Sequence, residues 1–163
     1  MEKMVINNDI LFGRVVELLN EGKDVTIPVK GYSMLPFIRG EKDLVVLRYS
    51  EDIAPDDIVL FSNHGRYTLH RVIAIENGVA RIMGDGVYKA QEFCEVDKIF
   101  GKAVKILKAG KREVDPYKPS MLRRVHLWRK LLPIRRWLLI AWRLLPWNWG
   151  ILKQQRSRRK KLN

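Results

Sequence analysis

Apolar residues recur at helical spacing only near the two ends of the chain, and between them the pattern alternates. In residues 9–22, Ile10, Leu11, Val15, Leu18 and Leu19 share one face of a 3.6-residue period, and Gly22 is a suitable stop. This predicts a short helix. It has no basic face, so it is expected to pack on the domain as a lid. From Val25 the period shortens to two. Residues 25–29, 44–49, 58–62, 66–75, 79–83 and 99–107 read as strands. Residues 53–57 and Asn63-His64-Gly65 read as turns, and Asn77-Gly78 is the strongest hairpin signal in the chain. Short strands at close spacing predict a mainly β fold: a compact antiparallel domain with barrel-like closure. No internal repeat is visible. After a linker at residues 115–119, with Ser120 as a candidate cap, helical spacing returns over residues 121–132. Pro133 is expected to kink it, residues 134–145 resume it, and Pro146 ends it.

Charge divides the chain at the same linker. The first 117 residues carry 17 Lys and Arg against 18 Asp and Glu, whereas residues 118–163 carry 14 Lys and Arg and no acid. The expected organisation is therefore a near-neutral domain over residues 1–117 and a basic amphipathic helical tail over residues 118–163. The tail interleaves Trp128, Trp137, Trp142, Trp147 and Trp149 with arginines, including Arg135, Arg136 and Arg143. Trp favours the membrane–water interface and long Arg side chains reach for headgroups, so the tail is expected to lie on an anionic membrane surface as a peripheral anchor. Nucleic acid fits the charge, but five tryptophans among many leucines exceed what phosphate contacts need, and no nucleic-acid partner is expected. Residues 154–163 read as a polybasic, disordered end.

Targeting and redox signals are few. The first nine residues lack the apolar core of a secretory signal, and nowhere is there a run of about 18 apolar residues that would span a bilayer. The single cysteine, Cys94, forbids an intrachain disulfide. Its acidic neighbours Glu92 and Glu95 would raise its thiol pKa, so it reads as a small half-buried residue.

The candidate chemistry lies in the β region. Ser33 sits in Gly31-Tyr32-Ser33-Met34-Leu35-Pro36, where a strand ends and two breakers turn the backbone. That holds a hydroxyl clear of the core, as a nucleophile requires, although Ser beside Gly and Pro is also ordinary turn chemistry. A serine hydroxyl needs a base. Alternation places Arg66, Thr68, His70, Val72 and Ala74 on one strand face and Tyr67, Leu69, Arg71, Ile73 and Ile75 on the other, which makes His70 the candidate. Asp85, between Gly84 and Gly86, returns toward His70 across the Asn77-Gly78 hairpin; its plain alternative is a turn residue. Lys30 is expected to point away from Ser33 by alternation. Lys89, His64 and His126 are given no catalytic role. No Cys/His cluster offers a metal site.

The ordered boxes Gly31-Tyr32-Ser33-Met34-Leu35-Pro36, Asp57-Ile58-Val59-Leu60-Phe61, Leu69-His70-Arg71-Val72-Ile73 and Gly84-Asp85-Gly86 resemble those of the signal peptidase I superfamily, the S24/S26-type serine peptidases, which also includes the self-cleaving repressors of the SOS response. The resemblance covers about residues 25–107. It implies a largely β fold, Ser33 as nucleophile, His70 as base in place of the lysine of typical bacterial members, and Asp85 as the supporting acid. A second family aspartate has only a displaced counterpart, Glu92. Gly31 stands where many members place a hydroxyl donor to the oxyanion, which leaves backbone N–H groups, including that of Ser33. No N-terminal anchor is visible. The expected activity is a serine endopeptidase that removes a signal or leader peptide without metal or organic cofactor. The alternatives are a non-enzymatic β module that binds a peptide or nucleic acid, and a regulatory autoprotease. Against the last, too few residues precede Ser33 for a DNA-binding domain and a cleavage loop; Ala109-Gly110 reads as a loop.

Overall fold

The computed structural model describes residues 8–63, 65–109 and 112–144, of which 8–11 and 142–144 by backbone alone. His64, Gly110, the side chains of Ile10, Leu11, Trp142 and Arg143, and everything expected of residues 145–163 lie outside that description. The chain divides into two compact units, residues 1–124 and 125–163.

The first unit is built on one eight-stranded antiparallel sheet. Its elements are α1 (Asn8–Asn20), β1 (Val25–Pro28), β2 (Leu44–Arg48), β3 (Ile58–Asn63), β4 (Arg66–Glu76), β5 (Val79–Met83), β6 (Glu92–Glu95), β7 (Ile99–Lys108) and β8 (Arg112–Val114). The strand order is β1-β2-β7-β3-β4-β5-β6, with β8 on β7. The mainly β expectation holds, but the barrel does not close. β1 and β6 form the ends of the sheet and do not pair with each other. The sheet instead buries two apolar clusters. Val15 and Leu19 of α1 join Ile27, Val29, Met34, Val45, Leu47, Ile58 and Leu60 in the larger one. Val59, Phe61, Val72, Ala80, Ile82 and Ile99 form the other.

The Asn77-Gly78 hairpin forms as its sequence requires, with both residues at positive φ, 50° and 76°. It pairs Arg71 with Met83 and Val72 with Ile82, but then Ala74 with Arg81. The bulge at Ile73 corrects the simple alternation. One extra residue reverses the side-chain parity beyond it, so Ile75 packs with the same cluster as Val72. His70 lies before the bulge, opposite Val59, and keeps its expected face.

In the second half of the chain, α2 (Pro119–Lys130) and α3 (Arg135–Leu144) flank Pro133. Ser120 is not a cap, because the helix begins one residue earlier with Pro119, whose fixed φ and missing N–H suit a first helical position. Among the described residues no helix is long and apolar enough to cross a membrane.

Candidate active site

Ser33 is carried by a loop that cannot relax. Gly31, at φ +79°, turns the chain out of β1 through a conformation that only glycine adopts readily. Gly40 packs so closely on this turn that a Cβ there would lie 1.9 Å from the Gly31 carbonyl oxygen. Met34, Leu35, Phe37 and Ile38 are buried beneath the loop while Ser33 stays half-exposed. The turn at Gly31 also changes the expectation for Lys30. The segment is not extended there, and Lys30 lines the same groove as Ser33.

Asp43 ties the far end of this loop to the end of β7. Its buried carboxylate accepts from the Arg39 N–H (2.8 Å), the Arg39 guanidinium (3.1 Å), the Lys108 ammonium (2.8 Å) and the Ala109 N–H (3.1 Å). Lys108 also donates to the Phe37 carbonyl. Burial alone would raise the Asp43 pKa, but Lys108 and Arg39 outweigh it and hold it at about 2 against an ordinary 3.8. A carboxylate depressed by folding adds stability that is complete above the unfolded pKa and is lost as pH falls through the folded one. Wild type should therefore lose about 2 kcal/mol more than Asp43→Asn between about pH 5 and pH 2, measured by urea unfolding. Equal losses would remove Asp43 as the acid-sensitive tie.

His70 is buried on β4, with its ring 6.3 Å from that of Phe61. Its Nδ1 is 2.5 Å from Oε2 of Glu92, and Oε1 of Glu92 accepts from Asn63 Nδ2 at 2.8 Å. The opposite ring nitrogen faces the serine loop. A Cβ added to Gly84 would lie 3.0 Å from His70 Nε2 and 2.4 Å from the Ser33 carbonyl oxygen. The backbones of Ser33 and Gly84 and the imidazole edge thus meet in one small volume, which explains the first glycine of Gly84-Asp85-Gly86. The second has a similar reason: its Cβ would lie 2.4 Å from the Tyr32 carbonyl oxygen, and its N–H donates to Ser33 O at 2.7 Å.

Between those glycines, Asp85 turns to Arg71. The guanidinium reaches it through Nε (3.0 Å to Oδ1) and Nη2 (2.9 Å to Oδ2), and both side chains are buried. Arg71 also donates to the Asp56 carbonyl at 2.8 Å and lies 5.9 Å from the Phe37 ring centre. Burial works against its charge, and Asp85 outweighs that, so its pKa is raised. The structure therefore brings Ser33, His70 and Glu92 around one point and joins Asp85 to Arg71 beside it.

A groove of about 500 Å³ leads to Ser33. Phe12, Val15 and Leu18 of α1 form one wall, residues 25–30 another, and Tyr67, Thr68 and Leu69 a third. Phe12 stacks on Tyr67 at 4.9 Å, so the N-terminal helix is part of the groove as well as of the core. β5 begins its pairing with β4 only at Arg71. β1 is bonded on one side alone, to β2.

A family model described as peptidase S24-like matches residues 3–104. The chain belongs to the peptidase S24-like family. No curated protein matches it. Membership points to a peptidase, acting on other chains or on its own. The S24-like match takes in Ser33, His70, Asp85 and Glu92 together, and also α1 with its groove-lining Phe12. Among the described residues the S24-like domain contains no group of three His, Cys, Asp or Glu placed to hold a metal ion. Its Cys94 is half-buried, and its thiol pKa is raised by burial and then by Glu95. His126 and Lys89 belong to none of the groups around Ser33 described above.

Residue-by-residue reading had passed over Asn63, Arg71, Phe12 and Tyr67. Arg71 had a signal: a charged residue on the Tyr67–Leu69 face of a strand must find a buried partner. Asn63 had none, because its contact depends on where β6 is placed.

Proposed function

We propose that this protein is a serine endopeptidase of the signal peptidase I type, in which Glu92 rather than Asp85 orients the base. One observation carries this reading: His70 sits with Nδ1 on the Glu92 carboxylate and Nε2 toward the Ser33 backbone. A neutral imidazole that donates from Nδ1 keeps its lone pair on Nε2. Ser33 Oγ attacks the scissile carbonyl and its proton passes to His70 Nε2. Glu92 steadies the imidazolium that forms. The oxyanion is met by backbone N–H groups that include that of Ser33. His70 returns the proton to the leaving amine, and the acyl group on Ser33 is then released by water with the same base. Asp85, with Arg71, braces the turn that presses Gly84 and Gly86 against the serine loop.

The apolar groove and the unpaired edges beside it suit an extended peptide lying alongside β1 and the first half of β4, as strand addition requires. A signal or leader peptide, extended and apolar near its cleavage site, has the matching chemistry. The test is to replace the chain in its own cell by Ser33→Ala and sequence the N-termini of the proteins that change. Precursors with uncleaved leaders should accumulate. If no N-terminus changes while the chain itself loses a cleavage, the autoprotease reading takes its place.

A further inference from the structure

The second unit and the helix leading into it carry a surface that the peptidase chemistry does not use. Leu127 on α2, Leu132 and Ile134 in the connection, and Trp137 and Ile140 on α3 are all exposed, Trp137 by 67% and Leu127 by 61%. On α3 Leu139 is buried as expected of an amphipathic helix, but one cation is buried with it and several apolar residues are not. Arg135 is buried: it donates to the Trp128 carbonyl at 3.1 Å, with its guanidinium 5.4 Å from the Trp128 ring centre. The outward arc holds Trp137, Ile140 and Ala141, spaced at i, i+3 and i+4. An apolar arc turned to solvent beside a buried arginine marks an interaction face.

Charge specifies the kind of partner. Residues 118–163 contain 14 Lys and Arg and no acid. Within the second unit Lys130 and Arg136 are exposed, and the Arg136 guanidinium lies 5.7 Å from the Trp137 ring centre. A segment that offers Trp, Ile and Leu together with many cations and no acid suits a partner that is anionic outside and apolar just beneath. Nucleic acid meets the first requirement and could stack a base on Trp137, but a cluster that also exposes the aliphatic Leu127, Leu132, Ile134 and Ile140 is better matched by acyl chains.

We propose that this segment docks on an anionic lipid bilayer, with α3 lying in the interface, Trp137 and Ile140 directed into the acyl boundary, and the surrounding arginines on headgroups. The proposal does not depend on the peptidase reading. In the full-length protein, binding to phosphatidylcholine vesicles with about one-third phosphatidylglycerol should exceed binding to pure phosphatidylcholine by tenfold or more. Raising salt should weaken it without abolishing it, since screening acts on the cations and not on the buried apolar part. The double variant Trp137→Ser/Ile140→Ser should lose roughly tenfold in vesicle affinity while keeping its melting temperature, because both side chains are exposed. Tighter binding to duplex DNA or RNA than to these vesicles at the same salt would overturn the proposal. So would vesicle binding that the double variant leaves unchanged.

Discussion

Ser33→Ala and His70→Gln should each lose essentially all peptide-bond cleavage, by about 10⁴- to 10⁶-fold in kcat, and the double variant should be scarcely worse than either single one. Nucleophile and base act as a unit, so removing one forfeits the contribution of the other. Folding should survive both changes. Ser33 is half-exposed, and the loop that carries it is fixed by Met34, Leu35, Phe37 and Ile38 and by Asp43, none of which changes. His70→Gln keeps most of the side-chain volume beside Phe61 and an amide in reach of Glu92. Steady-state kinetics with a cleaved precursor peptide, together with thermal melts, reads both parts. Appreciable activity in either variant would show that another group performs the attack or takes the proton.

Glu92→Gln and Asp85→Asn should fail in different ways. Glu92 is only half-buried, and its carboxylate holds His70 Nδ1 and Asn63. Its amide variant should melt near the wild-type temperature and lose about 10²–10⁴ in kcat, the range expected when the carboxylate orienting a catalytic imidazole is removed. Asp85→Asn leaves the Arg71 charge, 1% exposed, without its carboxylate. Breaking one side of a buried pair costs about 3–5 kcal/mol, which lowers Tm by on the order of 10 °C in a domain of this size. Activity per folded molecule should fall less than in Glu92→Gln. The opposite division, with Glu92→Gln silent and Asp85→Asn stable but inactive, would return the orienting role to Asp85.

The difficulty of choosing between those two acids from sequence has a physical cause. α1, β1 to β5 and β7 announce themselves by period, and the Asn77-Gly78 turn fixes the central hairpin. β6 does not. Glu92-Phe93-Cys94-Glu95 is four residues long, acidic, and exposes Phe93, so nothing in it reads as a strand until it pairs with β5. That pairing brings Glu92 beneath His70. The hairpin does return Asp85 toward β4, as the sequence suggests, and the residue its carboxylate meets there is Arg71, next along the strand. Lys30 went astray for a related reason: alternation stops at Gly31, where φ turns positive. The open sheet could not be read either, since closure depends on strand number, tilt and stagger, and no single stretch of pattern carries these.

The proposed mechanism stands on Ser33 as a nucleophile activated by His70 and Glu92. Peptide mapping after reaction of the full-length protein with a serine-acylating probe tests it most directly. A single adduct is expected, on Ser33, that is lost in His70→Gln and formed much more slowly in Glu92→Gln. An adduct on another residue, or labelling of Ser33 that is undiminished in His70→Gln, would contradict it.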